Sequence, residues 1–351
     1  MRLPAEWEPQ DGVMLAWPDE NTPWYALESV QDCYARIISA ILRRERVLLA
    51  AREPGAALER LRETAAAQGL SLQESRLHIV QCPLNDTWSR DHGGIAVSGP
   101  EGEKYIYDFV FNGWGLKFAS DLDNQVTRTV FFNSDAYAPD AACVDMRPFV
   151  LEGGSIDTDG AGTLMTTSSC LLSANRNDYL EKEEIEGELK SAFGLERVLW
   201  LDSGTIQGDD TDSHVDILAR FCSPETIAYV SCDDPENPDY ESLQAMEDQL
   251  RRFRTPSGGR YRLIPLPMAE TLYLEGERLP ASYANFLIIN GAVLMPGTGS
   301  PLDGVAAGAL QKAFPDREVE VINCYPLLSG HGGLHCVTMQ YPKGWLNIQT
   351  L

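Results

Sequence analysis

Long apolar runs are missing from this chain. Stretches such as Val47 to Ala51 are among the longest, far short of the roughly 20 residues a membrane-crossing helix needs. The opening MRLPAEWEPQ has no apolar segment of the kind that directs secretion. Both absences predict a soluble, cytoplasmic protein with no membrane partner. Cations are also scarce, with 28 Lys and Arg against 52 Asp and Glu and a formal net charge of −24. Such a surface repels polyanions, so nucleic acid is not an expected partner and a small cationic ligand is favoured. The eight cysteines never form a C-x-x-C pair, which argues against a zinc ribbon or a disulfide scaffold and for free, mostly buried thiols. Neither G-x-G-x-x-G nor G-x-x-x-x-G-K-S/T occurs, so no nucleotide cofactor is expected.

What the chain has is enough apolar residue, 44% of 351, to bury a sizeable core. Helical spacing of apolar residues is clearest at Val30 to Arg44, Gly55 to Gly69, Tyr179 to Phe193, Tyr240 to Phe253 and Gly304 to Phe314. Short apolar runs bounded by turn residues lie between them: Met14 to Trp17, Arg76 to Gln81, Tyr105 to Phe111, Thr163 to Thr166, Arg197 to Leu201, Val215 to Phe221, Thr226 to Val230, Phe286 to Asn290, Ala292 to Met295 and Glu318 to Ile322. The class is α/β with more than one strand per helix, which disfavours a plain doubly wound sheet. No linker-like tract divides the chain, so residues 1–351 read as one domain. Five evenly placed helices suggest five units of about 70 residues each. Two unrelated α/β halves are the alternative.

Polar residues beside glycine-rich or apolar strand ends occur at Trp88-Ser89-Arg90-Asp91, Glu152-Gly153-Gly154, His214-Val215-Asp216 and Gly332-Gly333-Leu334-His335-Cys336. Asp91 to Glu152 is 61 residues, Glu152 to His214 is 62, and His214 to Cys336 is 122, twice the first interval. One reactive group per unit, with one unit silent, would bring carboxylates, His and Cys together on the axis of a ring of repeats. Cys336 after its glycines is a candidate nucleophile, and His214 can shape its ionisation or carry a proton. Carboxylates at Asp91, Glu152 and Asp216 would hold a thiol protonated unless a cation enters the site. A guanidinium clamped by two carboxylates relieves that conflict and offers an electron-poor carbon to sulfur. The expected chemistry is attack on an amidino carbon.

The stretches AEWEPQDGVMLAWP, WSRDHGG, FNGWG, LEGG, NRN, DTDSHVDILARF, YANFLIING and GGLHCVTMQYP together resemble the agmatine deiminase family, also called the bacterial-type peptidyl-arginine deiminase family, over nearly the whole chain. The resemblance implies a pentein-like fold, an α/β propeller of five ββαβ-type repeats around a central site, within a single catalytic domain. It implies Cys336 as nucleophile, His214 as general acid and base, Asp91 and Asp216 as guanidinium clamp, and Glu152 as the carboxylate orienting His214. Deimination of agmatine to N-carbamoylputrescine, a step toward putrescine, with no metal or organic cofactor, is the implied reaction. Peptidyl-arginine, free arginine or amidino transfer would use the same site. Two departures stand out. His92-Gly93-Gly94 follows Arg90-Asp91 where the family more often has Thr-Gly-Pro, and Ser213 replaces a common Gly before His214; both are expected to alter the site wall.

Trp88 and Trp114 are candidates to stack on the guanidinium or wall the substrate's aliphatic chain. Asp210 and Asp212, in the acidic run that begins at Asp209, are candidates to hold a second cation at the far end. A zinc-dependent amidohydrolase built on His92, His214, His331 or His335 is the competing class, the H-x-x-x-H spacing of His331 and His335 being its motif. A non-catalytic propeller acting as a binding scaffold is a third. The expected partner is a small cationic guanidinium compound, and a homo-oligomer is compatible with every reading.

Overall fold

In strand Gln10–Ala16 all but one residue is buried, the pattern of a strand covered on both faces. It pairs in parallel with Arg46–Ala51, which pairs in parallel with Leu77–Gln81. The computed structural model describes residues 1–347 and is mixed α/β. The arrangement of the first sheet recurs. Ile95–Ser98, Lys104–Val110 and Ala141–Val150 form a second sheet, Ile156–Thr158, Thr163–Thr167 and Arg197–Leu201 a third, Ala219–Ser223, Thr226–Ser231 and Arg262–Pro267 a fourth, and Leu287–Ile289, Ala292–Gly297 and Glu318–Asn323 a fifth. In each of these four the first two strands are antiparallel and the second and third parallel. A parallel pair needs a crossover, usually a helix. The helices Leu27–Leu42, Val126–Asn133, Lys182–Phe193, Tyr240–Arg252 and Leu302–Ala313 supply one per sheet.

The first sheet is completed from far away in the chain: Met339–Pro342 pairs antiparallel with Gln10–Ala16. The one further sheet among the described residues is a hairpin, Leu272–Leu274 with Glu277–Leu279.

Each expected helix is present within about three residues of its expected ends, because each has local causes. Leu27–Leu42 buries Val30, Tyr34, Ile37, Ile38 and Ile41 at helical spacing. Lys182–Phe193 is opened by reciprocal bonds between Glu181 and Glu184 and closed by Gly194 at φ 66. Helix Val126–Asn133 lies outside the expected set, as do strands Arg46–Ala51, Ile95–Ser98, Ala141–Val150, Ile156–Thr158, Arg262–Pro267 and Met339–Pro342. One expected strand is shorter than its apolar run: Val215–Ile217 is a 3₁₀ turn and the strand begins at Ala219. That turn leaves both His214 and Asp216 on the wall of one cavity, which strict strand geometry gives to alternate residues as well but with the chain running straight through.

Five sheets place five polar residues just before their antiparallel strands. Asp91 precedes Ile95, Glu152 precedes Ile156, Asp216 precedes Ala219, Asn285 precedes Leu287 and Cys336 precedes Met339. The unit expected to be silent is therefore not silent, since it presents Asn285.

Candidate active site

A cavity of about 210 Å³ is lined by Cys336, His214, Asp91 and Asp216, with Trp88, Trp114 and Phe118 as aromatic wall. Asp91 sits on the single helical turn Ser89–His92. Its Oδ2 accepts a hydrogen bond from Trp114 Nε1 at 2.9 Å and its Oδ1 accepts from the Gly154 N–H at 3.0 Å. The indole can point inward because Trp114 adopts φ 55 between Gly113 and Gly115, both also at positive φ, a local backbone that glycine neighbours make accessible. Burial raises the Asp91 carboxyl to about 6, against the pull of His214.

His214 Nδ1 lies 3.6 Å from Asp91 Oδ1, and its Nε2 has no hydrogen-bond partner among the described residues. Burial opposes charge on this ring, but Asp91, Cys170 and Glu152 outweigh it and hold the pKa well above the usual histidine value. Asp216 accepts from His335 Nδ1 through Oδ2 at 2.7 Å, while its buried Oδ1 has no hydrogen-bond partner among the described residues. Cys336 Sγ is 3.9 Å from Asp216 Oδ2 and accepts from Asn285 Nδ2 at 3.2 Å. Burial first, then Asp216 and Asp91, push the thiol well above its ordinary value. These directions favour a protonated thiol and a protonated imidazole beside two carboxylates, one of which has an oxygen with no hydrogen-bond partner among the described residues. Such a set favours a cationic ligand.

The glycines of the GGLHC stretch are packing requirements. A Cβ on Gly332 would collide with the Trp88 ring and one on Gly333 with Asn285. Gly154 is more informative. A Cβ there would stand 2.6 Å from His214 Nδ1, 2.8 Å from Asp91 Oδ1 and 3.2 Å from Asp216 Oδ2. Gly154→Ala is expected to displace all three groups and lower kcat/KM by on the order of 10²-fold with little loss of melting temperature. Steady-state kinetics beside thermal unfolding checks this, and an unimpaired Ala variant would mean the three groups are not the working site.

Glu152 is buried beside His214, but its bonded partner is Arg176, whose Nε reaches both carboxylate oxygens at 3.0 Å. Arg176 Nη1 then reaches Asp212 Oδ2 at 2.7 Å, and Lys117 Nζ takes Asp212 Oδ1 at 2.7 Å. Asp212 is consequently spent on two cations and does not line the cavity, whereas Asp210 does. Two further aspartates, Asp86 and Asp209, join Asp91, Asp210 and Asp216 on the cavity wall, and no Lys or Arg among the described residues lines it. Burial raises Asp86 to about 7 and Asp210 to about 6, each helped by a neighbouring aspartate.

Neither departure from the family pattern reaches the cavity wall. His92 is buried with both ring nitrogens unpartnered among the described residues, and burial pushes its pKa down to about 3. Ser213 adopts φ 68, a conformation that suits glycine, steadied by its N–H donating to Asp209 Oδ2 at 2.7 Å.

His331 and His335 have separate partners: His331 Nδ1 meets the Gly208 carbonyl at 2.8 Å, and His335 lies between Asp216 and Glu6. The three donors that do gather among the described residues are Glu152, Cys170 and His214, with ligand atoms within 4.8 Å of one another. Arg176, seated on both oxygens of Glu152, opposes a divalent cation there.

The profile of the Porphyromonas-type peptidyl-arginine deiminases matches residues 2–342. A Legionella pneumophila protein named "Putative agmatine deiminase" is 34% identical over 97% of this chain and 94% of its own. Among solved structures, the "Putative Arginine Deiminase from Porphyromonas gingivalis" has TM-score 0.90 and 48% identity, covering 98% of this chain and 99% of that one. A C. jejuni agmatine deiminase with substrate bound has TM-score 0.85 and 35% identity over 98% of this chain and 96% of its own. A dimethylarginine dimethylaminohydrolase (DDAH) from Pseudomonas aeruginosa, 12% identical at TM-score 0.50 and covering 95% of this chain and 100% of its own, shares the fold alone.

Proposed function

Because the chain belongs to the Porphyromonas-type peptidyl-arginine deiminase family, we propose that it hydrolyses a guanidinium C–N bond, converting agmatine and water to N-carbamoylputrescine and ammonia. The observation that carries the reading is a cavity with five aspartates, a cysteine and two histidines on its wall and no Lys or Arg among the described residues. Such a wall suits a ligand cationic at both ends and offers nothing to the α-carboxylate of free arginine.

Asp91 and Asp216 clamp the guanidinium. Its charge cancels the two carboxylates that hold the Cys336 thiol up, and the thiol proton is lost to solvent as the ligand enters. The sulfur then adds to the guanidino carbon, forming the C–S bond. His214, held protonated by its acidic neighbours, donates to the departing nitrogen as the C–N bond breaks and ammonia leaves. A water adds to the amidino carbon, giving one proton to His214; as the C–S bond breaks to return Cys336 as thiolate, the remaining hydroxyl proton is lost to solvent and the ureido carbonyl forms. Glu152, fixed by Arg176, acts on His214 by its charge. Asp210 and Asp86 face the amine end, and Trp88 and Trp114 wall the chain between. Five repeated sheets support a five-bladed propeller of pentein type with this site on its axis, in one catalytic domain spanning 1–351.

Agmatine, arginine and a blocked arginine peptide, compared in a colorimetric ureido assay with intact-protein mass spectrometry of acid-quenched mixtures, test the reading. Agmatine is expected to give product at least tenfold more efficiently than the other two, with an adduct mapping to Cys336. A blocked peptide that outperforms agmatine would move the assignment to peptidyl-arginine. No product and no adduct from any of them would end the thiol mechanism.

A further inference from the structure

Of the charged groups around the site, one set remains without a role. Its centre is His335, 2% exposed. Nδ1 is 2.7 Å from Asp216 Oδ2 and Nε2 is 2.9 Å from Glu6 Oε2. Glu6 is itself anchored by Arg220 Nη2 at 2.7 Å and by the Ile288 N–H at 2.6 Å, with Arg90 Nη2 at 3.9 Å. The same two residues, Glu6 and His335, line a second cavity of about 50 Å³ with Arg90, and that cavity shares no lining residue with the one holding Cys336. Neighbours in sequence thus face different cavities: Arg90 and His335 one, Asp91 and Cys336 the other. The contact from His335 to Asp216 crosses the partition.

We propose that His335 is a positioning residue that acts through Asp216: braced from behind by Glu6, it supplies the hydrogen bond that keeps Asp216 ionised and its second oxygen free for the guanidinium. The inference rests on the deiminase reading and adds to it a requirement for the residue beside the nucleophile.

The geometry at the ring supports it. Ionised carboxylates bring no proton to either contact, so the proton on the shorter, 2.7 Å contact to Asp216 Oδ2 comes from His335 Nδ1, although burial, Arg220 and Arg90 lower the ring's pKa against the pull of Glu6 and Asp216. Without the ring, two buried carboxylates would face each other, and one would take up a proton. Asp216 is the more consequential loser, because burial raises its carboxyl and the His335 bond is the largest influence holding it down. The groups facing His335 from the packed elements are Glu6, Arg90, Asp216 and Arg220, and the hydrogen bonds of the two arginines go to Met339, Asp157, Phe286 and Glu6, not to Asp216.

Two variants separate positioning from simple packing. Asn places its amide nitrogen near the Nδ1 position, facing Asp216, while Gln places it near Nε2, facing Glu6. His335→Gln is expected to raise the agmatine KM at least tenfold and to move the acid limb of kcat/KM up by about one pH unit or more. The sign follows from the carboxylate: it must be ionised to bind, so raising its pKa removes activity at pH values where the wild type still works. His335→Asn is expected to keep the limb near the wild-type position. Titration of Asp216 by ¹³C-carboxyl NMR, assigned by its loss in Asp216→Asn, reads the same change with no substrate present. If Asp216 titrates alike in wild type and His335→Gln, the proposal is overturned. If its titration moves up in a protein that turns over no guanidinium compound, the coupling stands and the deiminase reading fails.

Discussion

Replacing Cys336 with serine is expected to lower agmatine turnover by on the order of 10⁴-fold or more, while agmatine is still expected to raise the variant's melting temperature. The two halves of this result come from different atoms. In the proposed mechanism turnover depends on the sulfur, which accepts from Asn285 Nδ2 at 3.2 Å and stands 3.9 Å from Asp216 Oδ2. A serine hydroxyl in the same place is far harder to ionise, and the guanidinium's charge cannot close that gap. In the same proposal binding depends on Asp91 and Asp216, which the substitution leaves untouched, and any ligand that binds only the folded state stabilises it. Ammonia release in single-turnover mode and thermal unfolding with and without agmatine measure the two halves. Turnover within tenfold of wild type would remove Cys336 from the reaction.

Asp216→Asn is expected to drive two rates in opposite directions. In the absence of substrate, burial, Asp216 and Asp91 hold the Cys336 thiol up, in that order. Removing the Asp216 charge lowers the thiol pKa, so a larger fraction is thiolate at any pH below it. Alkylation of Cys336 by iodoacetamide, followed from pH 7 to 10 by peptide mass spectrometry, therefore accelerates. Agmatine kcat/KM falls, since losing one partner of a buried ion pair costs about 3–5 kcal/mol, or on the order of 10² to 10³-fold. A nucleophile that becomes more reactive in an enzyme that becomes slower is the signature of a carboxylate that serves the ligand and not the thiol. Slower alkylation would contradict the charge argument.

How much of this is legible in the sequence depends on the range of the cause. Helices with a continuous apolar face, such as Leu27–Leu42, and the near-equal spacing of Asp91, Glu152 and His214 are properties of local sequence and can be read from it. Strand Ala141–Val150 cannot, because only its final two residues are buried and its exposed residues break any alternation. Asn285 stays hidden although its stretch YANFLIING carries part of the family resemblance, since an amide has no titration or metal-ligand signature, and only its place before Leu287–Ile289 reveals it. Asp212 misleads for the converse reason: an acidic run looks like a cation site until Arg176 and Lys117 are found on it. Glu6 and His335 are 329 residues apart, and no periodicity reports such a pair. In the sequence His335 stands out as half of a zinc motif and as the residue beside Cys336, with nothing to tie it to Glu6 or Asp216.

The pairing of Met339–Pro342 with Gln10–Ala16 also sets a timetable. Asp91, Glu152, His214 and Asp216 are all synthesised long before Cys336, and the strand that carries the thiol into place closes the first sheet from the other end of the chain. During synthesis the aspartates are made before the sulfur and before His335, the donor to Asp216, so the groups proposed to hold and attack a guanidinium compound are complete only once the last strand is made. A chain interrupted before residue 336 is accordingly expected to turn over no guanidinium compound.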